Sequence, residues 1–157
     1  MRIGVGYDIH ALVKKRPLIL GGVRVPHSMG LAGHSDGDVL FHAIIDAILG
    51  ACGEGDIGDH FPDNDPKYHG AESFIFAEKV KEILKQRRFK IVNIDSVVLA
   101  EEPKLGAYKK QIRQSLAIFF GIPMTDVSVK AKTNEKFGAV GKKKAIACYV
   151  VVSLEGV

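Results

Sequence analysis

Five of the six histidines, His10, His27, His34, His42 and His60, fall in the first 65 residues with eight of the ten aspartates. They gather in three groups. These are Asp8-Ile9-His10, then His34-Ser35-Asp36-Gly37-Asp38 with His42, then Asp56-Ile57-Gly58-Asp59-His60-Phe61-Pro62-Asp63-Asn64-Asp65. Imidazole and carboxylate clustered in this way are the donors a divalent metal takes, which points to a metal enzyme rather than a scaffold.

Side chains alternate along a strand, so Asp8 and His10 point to one face and can converge on one ion. His42 falls about two turns into a helix predicted to begin at Ser35-Asp36. There it shares a row with Asp38 and Asp46, either of which is a candidate partner for its second ring nitrogen. Two imidazoles and a carboxylate suit Zn²⁺, with a fourth position left for substrate or water. The plainer alternative is a satisfied core histidine at 42 and a surface Asp8/His10 pair, because the three do not form a fixed-spacing motif. His34-Ser35 stands at the predicted helix start, where free N–H groups favour phosphate, although Ser35 also reads as a simple cap. Carboxylates of the 56–65 segment suit sugar hydroxyls, or serve turn chemistry alone. Lys130-Ala131-Lys132-Thr133-Asn134-Glu135-Lys136 closes a predicted strand and offers a hydroxyl, a carboxylate and amines to phosphate and a hard cation such as Mg²⁺.

The elements that must position these groups are legible as periodicities. Residues 2–9 read as a strand, and 18–20 and 23–25 as a hairpin turned by Gly21-Gly22. A helix runs through Val39, Leu40, Ala43, Ile44, Ala47 and Ile48. Residues 58–70 read as a loop, 71–88 and 107–120 as helices, and 91–100, 127–132 and 145–154 as strands. Strands alternating with helices predict an α/β domain with helices packed on one face of a single mixed sheet. At 157 residues, one domain over 1–157 is expected. No apolar stretch approaches a membrane span, and the start reads as a strand rather than a leader. Cys52 and Cys148 stand alone in apolar company, which suggests reduced thiols and a cytoplasmic setting. The net charge of +4 fits solvated basic faces, or a basic mouth for an anionic small molecule. No basic helix is interleaved with aromatics, so nucleic acid is not an expected partner.

Five stretches in register resemble the 2-C-methyl-D-erythritol 2,4-cyclodiphosphate synthase family of the non-mevalonate isoprenoid pathway. They are Gly4-Val5-Gly6-Tyr7-Asp8-Ile9-His10, His34 to His42, Gly55 through Pro66, the stretch around Pro103-Lys104, and Lys130 to Gly141. The resemblance implies an α+β fold of the ferredoxin-like type and a homotrimer with active sites between subunits. It implies conversion of 4-diphosphocytidyl-2-C-methyl-D-erythritol 2-phosphate into the cyclic diphosphate: the 2-phosphate attacks the β-phosphorus and cytidine monophosphate leaves. Asp8, His10 and His42 match the family's Zn²⁺ ligands, and Glu135 matches the residue that holds Mg²⁺ or Mn²⁺ between the phosphates. His34 and Thr133 match the residues that stabilise the transition state. Ser35, Asp56, Ile57, Gly58, Phe61, Pro62, Asp63, Asn64 and Asp65 match substrate contacts, as do Lys132, Asn134 and Lys142. Ala100, Glu101, Glu102, Pro103, Lys104, Leu105 and Gly106 match the cytosine pocket.

The chain departs from the family pattern where it has Lys132, Ala139, Lys142 and Tyr149. Lys142 and Tyr149 lack the Arg–Glu pair that some members place near the trimer axis, so an axial ligand pocket of that form is not expected. Competing readings are a phosphohydrolase using a Zn-bound water, a non-catalytic trimeric module for metal or isoprenoid lipid, and a nucleic-acid-binding domain.

Overall fold

The structure, a computed structural model, describes residues 1–62 and 70–157. Strand β1 (Arg2–Lys14) alternates between exposed and covered residues from Ile3 to Leu12. Gly4 and Gly6 are buried and Asp8 and His10 half-buried on one side, while Ile3, Val5, Tyr7 and Ile9 are 44–66% exposed on the other. The hairpin β2 (Leu18–Leu20) and β3 (Val23–Val25) turns on Gly21 and Gly22 at φ +57° and +75°, the positive angles a tight two-residue turn demands. Strand β4 (Met29–Leu31) pairs with the far end of β1. Helix α1 (Val39–Cys52) is apolar nearly all round because it is covered by β1 and the last strand of the chain on one side and by the helix over 73–86 on the other. A short α2 (Ile57–His60) is followed by α3 (Ser73–Gln86), β5 (Phe89–Leu99), α4 (Lys109–Phe120), β6 (Val127–Lys132), a short α5 (Gly138–Gly141) and β7 (Ala145–Gly156).

The main sheet has five strands in the order β4-β1-β7-β5-β6. Strands β5 and β6 are parallel, joined through α4, and the other neighbours are antiparallel. Asp8 stands opposite Cys148, Cys148 opposite Val98 and Val98 opposite Ala131, so the metal-type residues and the end of β6 lie level across the sheet.

Four expectations are corrected. The hairpin does not join the sheet but forms a separate two-stranded one, so the sheet is not single. The strands of the main sheet and the long helices run β1-β4-α1-α3-β5-α4-β6-β7, with β5 and β6 parallel, rather than in the βαββαβ order of a ferredoxin-like fold. Helix α1 begins at Val39 and is capped by Asp38 instead of Ser35-Asp36. The carboxylate of Asp38 accepts from Leu40 N and Phe41 N of the helix and also from Gly21 N and Gly22 N of the hairpin, which fixes the start there. The stretch read as a loop from 58 contains most of α2, where Asp56 and Asp59 form a reciprocal capping box.

Candidate metal centre and substrate cavity

Strand β1 delivers Asp8 and His10, and α1 delivers His42 across a tight strand–helix contact. Asp8 Oδ2 lies 2.8 Å from His10 Nε2 and 3.1 Å from His42 Nδ1, and the two ring nitrogens are 3.2 Å apart. Among the described residues these three are the cluster able to hold a metal ion. Donors at about 2.05 Å from a tetrahedral Zn²⁺ stand roughly 3.3 Å from one another. The observed triangle is close to one face of that tetrahedron, so Asp8, His10 and His42 could hold an ion of that size.

The opposite nitrogen of each ring is engaged. His10 Nδ1–H donates to the Ala32 carbonyl, which leaves Nε2 as the ligating atom. His42 Nε2 faces Ser73 Oγ at 2.9 Å and Ser35 Oγ at 3.2 Å. Burial pushes the Asp8 carboxyl up, but the hydrogen bonds and charges of His10 and His42 outweigh it and hold Asp8 well below the usual carboxylate range. Burial lowers His10, but its bonds to Asp8 and Ala32 win and its pKa is raised.

The expected partners of His42 are used elsewhere. Asp38 is spent on its four backbone donors, and Asp46 Oδ1 accepts from Ile57 N at 2.8 Å, tying α2 to α1. The expected phosphate site at the helix N-terminus is also overturned. With the helix starting at Val39, His34 and Ser35 lie outside it, and Asp38 takes the N–H groups of Leu40 and Phe41.

His34 and Ser35 instead line a cavity of about 330 Å³ with Asp8, His10 and His42. Ile57, Gly58 and Phe61 close its other side, with Asp46 and Phe76. Asp56 precedes them as the cap of α2, and Pro62 is exposed. Asp63, Asn64 and Asp65 lie outside the described residues. Arg16, which the sequence reading passed over, donates to the carbonyls of Gly33 (2.7 Å) and Ser35 and so clamps the loop that carries His34. Ser73 was also missed. Its only sequence signal is a small hydroxyl residue in the first turn of the predicted 71–88 helix.

The second group of candidate residues is not brought to this cavity. Thr133, Asn134 and Glu135 follow β6, three strand steps from β1, or about 14 Å across the sheet at roughly 4.8 Å per step. Thr133 Oγ1 donates to Glu135 Oε1, and Asn134 N donates to Glu101 Oε2 at 3.2 Å. Ala100 N donates to the Lys132 carbonyl at 2.9 Å, joining the 100–106 stretch to the end of β6. Leu105 is buried, and the Glu102–Pro103 peptide is cis. Glu101, Glu102, Lys104, Lys136, Lys142 and Lys143 line a second, separate cleft there of about 410 Å³. Lys132 is exposed.

Residues 1–155 match a model of the YgbB family. The chain is 52% identical over 155 residues to the 2-C-methyl-D-erythritol 2,4-cyclodiphosphate synthase of Thermosynechococcus vestitus, covering 99% of this chain and 96% of that protein. The bifunctional IspDF of Campylobacter jejuni superimposes with a TM-score of 0.95 at 39% identity, over 99% of this chain and 42% of that longer one. A 2C-methyl-D-erythritol-2,4-cyclodiphosphate synthase in a CDP-bound form gives a TM-score of 0.91 at 36% identity, over 98% of this chain and all of that one. With sequence and fold in agreement along nearly its whole length, the chain belongs to the YgbB family.

Proposed function

We propose that this chain is a metal-dependent cyclodiphosphate synthase that converts 4-diphosphocytidyl-2-C-methyl-D-erythritol 2-phosphate into 2-C-methyl-D-erythritol 2,4-cyclodiphosphate and cytidine monophosphate. The observation that carries the reading is the Asp8/His10/His42 triangle, open to a cavity, in a chain of this family. The nucleophile is already an anionic phosphate, so no general base is required and catalysis rests on positioning and charge stabilisation.

In this reading Asp8, His10 and His42 would hold Zn²⁺, and the chemistry it would supply is Lewis-acid polarisation of a substrate phosphate. His34, beside them in the cavity, donates to the charge that develops on the reacting phosphates. Ser35, Asp56, Ile57, Gly58, Phe61 and Pro62, with Asp63, Asn64 and Asp65 beyond the described residues, hold the sugar and erythritol hydroxyls. Ala100 to Gly106 receives the cytosine through its backbone. Thr133 stabilises the transferred phosphate, and Glu135 would hold Mg²⁺ or Mn²⁺, which would supply neutralisation of phosphate charge. Lys132, Asn134 and Lys142 stand ready around it. The lysines of the second cleft suit the same polyanion.

About 14 Å of sheet separates the two halves within one chain, which supports a site shared between subunits. We therefore read the enzyme as a homotrimer with each site shared between subunits. Its interface is the outer face of the sheet, where Ile3, Val5, Tyr7, Ile9, Tyr149 and Val151 leave an apolar surface. Tyr7 stands opposite Tyr149 with ring centroids 4.6 Å apart. No helix among the described residues is long and apolar enough to cross a membrane. Both cysteines are free and buried, which supports a cytoplasmic location.

Co-expression of His42→Ala with Glu135→Ala tests the shared site. Each variant alone is expected to be inactive. The mixed assembly should recover about a quarter of parent activity, since random pairing leaves one interface in four with both halves intact. No recovery in verified mixed assemblies would place both halves within one chain.

A further inference from the structure

His42 is held from behind by a chain of groups that none of the roles above uses. Its Nδ1 faces Asp8 and His10, so a metal taken by the trio binds through Nδ1, and Nε2 must carry the ring proton. Ser73 Oγ lies 2.9 Å from Nε2. Ser73 is fully buried, and its hydroxyl donates to Asp36 Oδ1. Asp36 is anchored in turn by Asp38 N on Oδ1 at 3.1 Å and by Ser73 N on Oδ2 at 3.2 Å. We propose that Asp36 and Ser73 form a positioning relay that holds His42 in the Nε2–H tautomer and aims its Nδ1 at the metal.

The protons run one way only. Asp36 is acceptor on both oxygens, so the Ser73 hydroxyl must give it its proton. That leaves Ser73 Oγ with lone pairs alone for His42, and the ring must donate. Reversing the His42–Ser73 bond would strip Asp36 Oδ1 of a buried donor. Ser35 Oγ, 3.2 Å from the same nitrogen, is the lesser partner. It sits farther from the ring than Ser73, accepts from Gly37 N at 3.1 Å, and has Ser73 Oγ at 3.5 Å as an alternative acceptor for its own proton. Ser73 is the first residue of α3 and Asp36 belongs to the turn before α1, so the relay ties one metal ligand to two elements distant in sequence. A histidine ligand steadied through its other nitrogen binds metal more tightly because ring orientation and basicity are both set in advance.

The inference rests on the reading of Asp8, His10 and His42 as the metal site, and the test separates the two. Zinc affinity of the full-length apo-protein is measured by competition with a chromophoric chelator. The proteins compared are the parent, Ser73→Ala, Asp36→Asn, His42→Ala and Val80→Ala. Ser73→Ala should bind zinc about 10- to 100-fold more weakly, and Asp36→Asn should show a smaller loss. Val80→Ala loosens the buried face of the same helix without touching the relay, and should keep parent affinity. Parent affinity in Ser73→Ala, or an equal loss in Val80→Ala, would overturn the relay. Parent affinity in His42→Ala would overturn the metal site itself. Should Ser73→Ala fail to fold, Asp36→Asn is judged against Val80→Ala by the same criteria.

Discussion

Gly6 lies directly against Ala43: a methyl group placed on Gly6 would come within 1.8 Å of the Ala43 carbonyl oxygen. Gly4 meets the Ala47 carbonyl in the same way. These two glycines set how closely β1 approaches α1. Asp8 is the next inward residue after Gly6, and His42 adjoins Ala43. The closeness of strand and helix is therefore what lets a carboxylate on one reach an imidazole on the other. Gly6→Ala is expected to destabilise the fold by about 3 kcal/mol and to weaken zinc binding. Denaturant unfolding and a zinc titration check both, and an unchanged stability would remove the glycine contact from the account.

Asp38 serves the fold rather than the chemistry. It satisfies two donors of the hairpin and two of α1 from a fully buried position. Asp38→Ala strands those groups and should cost about 3 kcal/mol. Burial pushes its carboxyl from 3.8 up to about 6 against the pull of these donors. The folded state therefore holds the proton more tightly than the unfolded chain, and lowering the pH through that window stabilises the fold. The margin of the parent over Asp38→Asn should grow between about pH 6 and pH 4. Parallel urea melts read it, and a margin that shrinks would show that the donors keep the carboxylate ionised.

His42→Ala should remove the metal and nearly all turnover while leaving a folded assembly. Metal analysis and sedimentation decide this together. A variant that no longer assembles would make the site structural as well as catalytic.

Thr133→Ala is expected to lower kcat by about 10²-fold, the scale of a lost transition-state donor, with zinc content unchanged. An unaltered kcat would remove Thr133 from the reaction.

Local periodicity carried a good deal of this molecule. The period of two put Asp8 and His10 on one face of β1, and the apolar row through Leu40, Ala43, Ile44 and Ala47 placed His42 on a helix. What escaped the sequence was non-local. The cap at Asp38 depends on Gly21 and Gly22 of a hairpin that lies elsewhere in sequence. The partner of His42 is Ser73, 31 residues on, rather than a neighbour on its own helix. The parallel pairing of β5 with β6 and the separate two-stranded hairpin follow from how elements meet, which periodicity does not encode. The resemblance named two groups of candidate residues, and the sheet order sets them three strand steps apart in one chain, which periodicity does not encode.

Phosphorus NMR of the purified protein with 4-diphosphocytidyl-2-C-methyl-D-erythritol 2-phosphate and Mg²⁺, before and after chelation, decides whether this chain is the synthase. Resonances of the cyclic diphosphate and of cytidine monophosphate are expected, and should be lost when the metal is removed. Unchanged substrate from folded, zinc-loaded protein, or release of inorganic phosphate with a linear product, would contradict that reading.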